Sequence, residues 1–158
     1  MGREIVVCWA GRHRRDAWST LADRYLERIS RQIPAREVAV RARGSDADPR
    51  RLTAEGEALL GASPEPSWRV ALDRKGTMRS SRELAAWLRQ RREEWPHPIV
   101  FLVGSDLGLA PEVIAACRES LSFGPMTLPH ELARLVLLEQ LYRACTMDAG
   151  IRYHRESF

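Results

Sequence analysis

The run Ile99-Val100-Phe101-Leu102-Val103-Gly104-Ser105-Asp106-Leu107-Gly108-Leu109-Ala110-Pro111 decides how this chain is read. Five consecutive apolar residues, with no alternation, describe a strand covered on both faces of a parallel sheet. A glycine-bearing turn follows, and Pro111 stands where a helix can open. The same order of strand, turn and helix recurs on either side. Residues 4–9 form another buried strand. Trp18, Leu21, Ala22, Tyr25, Leu26 and Ile29 then fall on one helical face, and Pro34 marks that helix's end. Residues 37–40 are a short strand. Asp48 and Pro49 make an N-cap and first position for a helix that Gly61 would close, with Leu52, Leu59 and Leu60 on its apolar side. Residues 68–72 are the next strand. Ser80 and Glu83 form a capping box before a helix whose inner face is Leu84, Trp87 and Leu88, stopped by Pro96 and Pro98. A short helix after Pro111, an extended piece around 121–123, and the longest helix from Pro129 to about Met147 complete the chain. The expectation is an α/β fold with a mostly parallel sheet flanked by helices.

The last helix is too apolar for a single buried face. Leu132, Leu135, Val136, Leu141, Tyr142 and Cys145 make one stripe, and Leu137 and Leu138 widen it. Such a helix is either central to the core or covered by a partner, and a dimer interface is the expectation. The polar, turn-rich stretch 43–49 reads as a mobile loop.

Composition narrows the class. The 158 residues suit one domain spanning 1–158, and 44% hydrophobic residues are too many for a disordered chain. No apolar run approaches the roughly 18 residues of a membrane span. The apolar run 5–9 is too short for a signal peptide, and Val6 stands where a myristoylation motif needs Ser or Thr. Three cysteines without a CxxC make neither a disulfide framework nor a zinc ribbon. The expectation is a reduced, cytoplasmic protein with no membrane and no metal. Lys plus Arg is 25 against 21 Asp plus Glu, a net charge of +4, and Lys75 is the sole lysine. Arginine's planar fork binds phosphate bidentately and stacks on bases. Nucleic acid is therefore a candidate partner, although a solvated mixed-charge surface accounts for the same total.

Several familiar signatures fail. Gly104 and Gly108 are spaced GxxxG, not GxGxxG. Lys75-Gly76-Thr77 reverses the P-loop order, and Ser105 lies in no GxSxG. In His130-Glu131-Leu132-Ala133-Arg134, arginine replaces the second histidine of HExxH, and arginine cannot ligate zinc. Three segments remain: the turn after 99–103, the loop 124–131, and Tyr153-His154-Arg155. Glycine-bearing turns let backbone groups approach a ligand, and open α/β sheets bind ligands at the carboxyl ends of their strands.

The string from Met126 to Leu135, its continuation Leu138-Glu139-Gln140-Leu141-Tyr142-Arg143-Ala144, and Tyr153-His154-Arg155-Glu156 closely resemble the RlmH family of SPOUT-class methyltransferases of large-subunit ribosomal RNA. Glu55-Gly56-Glu57, Leu59-Leu60 and Val70-Ala71-Leu72-Asp73 extend the resemblance over essentially the whole chain. It implies a C-terminal trefoil knot, a homodimer, S-adenosyl-L-methionine as cofactor, and methylation of N3 of a pseudouridine in 23S ribosomal RNA of the assembled ribosome. By position, it implies that Leu72, Gly104, Ser105, Gly124, Pro125, Met126, Thr127, Leu128 and Pro129 bind the cofactor. It also places Tyr153, His154 and Arg155 on the substrate side. There His154, with an ordinary pKa of about 6.5, would take the imide proton. Tyr153 would stack on or hydrogen-bond the base, and Arg155 would hold a phosphate or polarise a carbonyl.

One departure stands out. The family usually has two adjacent glycines where this chain has Gly104-Ser105. A serine at positive φ would be strained; otherwise its hydroxyl is free to bond the cofactor. Arg12, Arg14 and Arg15, after the first strand, are expected to contact RNA phosphates. The alternatives are a SPOUT methyltransferase for another RNA such as transfer RNA, and a non-catalytic ribosome-binding homologue.

Overall fold

The computed structural model describes residues 3–41 and 49–153. Five strands form one sheet: β1 (Ile5–Ala10), β2 (Ala35–Val40), β3 (Trp68–Met78), β4 (Ile99–Val103) and β5 (Glu119–Ser122). Their order is β2-β1-β4-β3-β5, and every pairing is parallel. β4 sits at the centre, as its uninterrupted apolar sequence requires. All five of its residues are buried.

The helices are α1 (Ala17–Ser30), α2 (Pro49–Ala62), α3 (Ser81–Glu94), α4 (Pro111–Ala115) and α5 (His130–Ala149). Strand side chains alternate between the sheet's faces and so divide the core in two. Ile5, Val7, Trp9, Ile99, Phe101 and Val103 meet α1, α3 and α5 on one face. Val6, Cys8, Ala10, Val100 and Leu102 meet Leu59 of α2 and Val113 of α4 on the other. Both faces of β1 and β4 are covered, so their side chains are apolar at every position.

Several boundaries differ from the sequence reading. Strand β3 continues past Leu72 to Met78, because its pairing with β5 resumes at Thr77 after a register shift. Strand β5 starts at Glu119, and α2 runs through Gly61 to Ala62. The cap expected at Asp48, and most of the loop expected at 43–49, lie outside the described residues. The capping box of α3 forms as read: Ser80 accepts from the Glu83 N–H, and Glu83 accepts from the Ser80 N–H.

The stripe assigned to α5 is corrected. The side sunk in the core is Arg134, Leu137, Leu138, Leu141, Ala144 and Cys145, while Leu132, Leu135 and Val136 are only half-buried. The reason is an arginine at a core position. Arg134 is 1% exposed and donates from Nε and Nη2 to the two carboxylate oxygens of Glu37, each at 2.6 Å. Its guanidinium also lies 3.9 Å from the centre of the buried Trp9 ring. Counted by apolar residues alone, the buried face is placed too far toward Leu132, Leu135 and Val136, although Leu141 and Cys145 of that stripe are buried.

Breaking one side of such a pair strands a buried charge. Glu37→Ala should lower unfolding stability by about 3 kcal/mol in urea titration. The paired replacement Glu37→Leu with Arg134→Met should recover most of that loss.

Candidate functional site

A cleft of about 740 Å³ opens at the carboxyl ends of β4 and β5, beside the irregular middle of β3. Three segments wall it: Leu72–Arg74 where β3 leaves its ladder, the turn after β4, and the loop between β5 and α5. Eight of the nine expected cofactor residues line it: Leu72, Gly104, Ser105, Gly124, Met126, Thr127, Leu128 and Pro129. Pro125 does not. The sequence reading missed Asp73, Arg74, Leu109, Phe123, His130 and Ala133, which also line it. His130 lies inside the loop 124–131 already singled out and Phe123 adjoins it, so extending the cofactor set Gly124 to Pro129 by one residue at each end would have found both. Arg74 had no local signal.

The turn after β4 is closed by hydrogen bonds. The Gly108 N–H donates to the Ser105 carbonyl at 2.9 Å. A Cβ on Gly104 would lie 2.4 Å from the Gly108 carbonyl oxygen, so only glycine fits there. The left-handed residue is Gly108, at φ 76°, and no residue other than glycine has positive φ among those described. The strain expected of Ser105 is therefore absent. Nor is its hydroxyl free for a ligand: it donates to Glu55 Oε2 at 3.1 Å and accepts from the Leu107 N–H at 3.2 Å.

Asp106, beside it, pairs with Arg51. Burial works against the Asp106 carboxylate. The hydrogen bond and charge of Arg51 outweigh it and hold the carboxyl below its usual value. The tie is thus present at neutral pH and is lost only as pH falls through that depressed value.

The loop after β5 depends on Ser122. Its buried hydroxyl donates to the Arg74 carbonyl at 2.9 Å and accepts from the Gly124 N–H at 3.0 Å. Gly124 at φ 109° then reverses the chain. Arg74 donates to Thr127 Oγ1 at 2.9 Å and spans the cleft's edge. The loop delivers Pro129, which precedes α5 without a side-chain cap. The first-turn N–H groups of α5 are therefore not satisfied by a cap on the cleft side.

Of the tail residues, Tyr153 does not line this cleft. His154 and Arg155 lie outside the described residues. The Tyr153 ring meets the Tyr142 ring edge-on at 4.7 Å, and its hydroxyl donates to Glu139 at 3.2 Å. Burial, then the Tyr25 hydroxyl and the Glu139 charge, push the Tyr153 phenol above its ordinary value. It is a neutral donor at physiological pH, not a base. The twelve helical steps from His130 to Tyr142 span about 18 Å.

Arg12, Arg14 and Arg15 are exposed in the loop after β1, at the same end of the sheet as the cleft. Among the described residues there is no cluster of His, Cys, Asp and Glu able to hold a metal ion. No described helix is long and apolar enough to cross a membrane.

Comparison with known proteins matches this geometry to a family. The family model described as "Predicted SPOUT methyltransferase" matches residues 3–154. A relative from Solidesulfovibrio magneticus, named Ribosomal RNA large subunit methyltransferase H, is 44% identical over 131 residues, 82% of this chain and 84% of its own. One of the same name from Nitratidesulfovibrio vulgaris strain DP4 is 35% identical over 155 residues, 98% of this chain and 99% of its own. A solved structure of a probable methyltransferase from Bordetella pertussis Tohama I has TM-score 0.59, covering 91% of this chain and 96% of that one. At 17% identity it speaks for the fold alone.

None of the three thiols lines the cleft. Burial pushes Cys8, Cys117 and Cys145 each up to about 11. All three should resist iodoacetamide at neutral pH in the folded protein and label in denaturant, as read by intact mass.

Proposed function

Because the chain belongs to the SPOUT methyltransferase family, we propose that it transfers a methyl group from S-adenosyl-L-methionine to N3 of a pseudouridine in 23S ribosomal RNA of the assembled ribosome. The observation that carries the reading is the cleft, whose walls come from the segments the family resemblance assigns to the cofactor. Relatives named as large-subunit ribosomal RNA methyltransferases support the RNA substrate.

The residues present suit the cofactor. The volume lies within the range of about 300–1,000 Å³ usual for small-molecule sites. Leu72, Leu109, Leu121 and Phe123 offer apolar surface for a heterocycle, and the two glycine-bearing turns offer backbone donors and acceptors. The uncapped first turn of α5 suits a carboxylate. When bound, S-adenosylmethionine supplies a methyl group on a positively charged sulfur. The chain's task is then alignment and the handling of one proton, because N3 of pseudouridine is an imide N–H. His154 takes that proton, Tyr153 holds the base as a neutral donor, and Arg155 holds a phosphate or carbonyl.

The separation of Tyr153 from the cleft favours a homodimer. The half-buried Leu132, Leu135 and Val136 of α5 supply an apolar surface for a second copy. The tail of one copy then serves the cleft of the other. A knotted C-terminal segment in a single domain completes the reading. Exposed Arg12, Arg14 and Arg15 contact phosphates beside the site.

Whole ribosomes lacking the modification, incubated with enzyme and S-adenosylmethionine, should gain one N3-methylated pseudouridine by nucleoside mass spectrometry. Methyl incorporation into transfer RNA instead, or into neither, would sink the substrate assignment. His154→Ala should slow single-turnover methylation about 100-fold with cofactor affinity unchanged. Mixed dimers of His154→Ala and Gly104→Ala chains should regain activity that neither has alone. Replacing Arg12, Arg14 and Arg15 together should flatten the salt dependence of ribosome binding by up to about three ions.

A further inference from the structure

Helix α2 lies outside the cleft wall, yet it reaches the turn that forms one side of the cleft. Ser105 Oγ donates to Glu55 Oε2 at 3.1 Å, and Arg51 Nε donates to the same oxygen at 3.0 Å. Arg51 Nη2 bonds the carboxylate of Asp106 and approaches Ser105 Oγ at 3.4 Å. The Leu107 N–H donates to that hydroxyl as well. The serine oxygen and Arg51 together thus join α2 to three successive residues of the turn.

Two further observations give the arrangement weight. Glu55 is 4% exposed, and its other oxygen, Oε1, is buried without a hydrogen-bond partner. A carboxylate so placed is costly unless what it holds is needed, and an apolar residue would serve packing better. Beside it, Gly56 seats α2 against α4: a Cβ there would lie 2.6 Å from Val113 Cγ2. Val113 is itself buried just beyond the far end of the turn segment. Helix α2 is therefore packed against the helix that follows the turn while its side chains grip the turn itself.

We propose that Glu55, Arg51 and Ser105 are positioning residues for the cofactor, a clamp from α2 that holds the Ser105–Gly108 turn in the shape the methyl donor requires. None of the three transfers a proton or a methyl group. The hydroxyl takes over the role of a second glycine at this turn: glycine would let the backbone adapt to the ligand, whereas the clamp sets the backbone beforehand, which lowers the ordering cost on binding. The inference rests on the cofactor reading above.

Calorimetry with S-adenosylhomocysteine, the donor without its transferable methyl, tests it. Ser105→Ala and Glu55→Gln should each raise Kd about tenfold. Ser105→Thr, which keeps the hydroxyl, should bind within about threefold of the parent protein. In ribosome methylation, Ser105→Ala should raise the KM for the donor more than it lowers kcat. Thermal melts of each variant report folding. If Ser105→Ala and Ser105→Thr bind alike, or if both bind as the parent does, the clamp is overturned while the cofactor reading stands. A parent protein that fails to bind S-adenosylhomocysteine overturns the cofactor reading and the clamp with it. Should Glu55→Gln fail to fold, the Ala and Thr variants at Ser105 still decide between the outcomes.

Discussion

The pairing of Arg134 with Glu37 fixes where the start of α5 meets the cleft. Glu37 belongs to β2, Arg134 to α5, and Trp9 of β1 lies against the guanidinium. With its charge buried, the arginine has few alternative places to go, and the bidentate geometry admits little rotation of the helix. The pair sits one turn inside the helix start. It therefore determines where His130 and Ala133 meet the cleft, and its aromatic cover extends to His130, whose ring stacks on Trp9 at 6.3 Å. Such a pair adds orientation more than net stability.

From that anchor the site follows as two loops held by hydroxyls. Ser122 fastens the loop after β5 to the irregular stretch of β3, and Ser105 fastens the turn after β4 to α2. In each case a small polar side chain satisfies backbone or carboxylate groups that the strands, by ending, leave unpaired. Glycine appears beside each hydroxyl for a different reason: Gly104 because a carbonyl lies where its Cβ would be, Gly124 because its backbone is left-handed. The cleft is thus prearranged, with apolar walls from strand ends and a polar rim from loops.

Tyr153 belongs to another part of the molecule. Tyr153 packs among Tyr25, Tyr142, Glu139 and Arg143, on the surface shared by α1 and α5. If Tyr153 serves the substrate as proposed, its distance from the cleft calls for a second chain in that reaction. The half-apolar outer side of α5 fits that requirement.

Local sequence determined the elements themselves. An unbroken apolar pentad is sufficient for a central parallel strand, a serine three residues before a glutamate for a capping box, and glycine after a strand for a turn, because these depend on neighbours within a few residues. Eight of the nine residues that the resemblance assigned to the cofactor line the cleft, because those segments are contiguous in the chain. Tertiary structure alone decided the rest. The rotation of α5 depends on a charge 97 positions away in Glu37, the engagement of the Ser105 hydroxyl on Glu55 some 50 positions earlier, and the remoteness of Tyr153 on the length of a straight helix. None of these is a property of a window of residues. Each arises when burial forces a polar group to find its partner wherever the fold has put one.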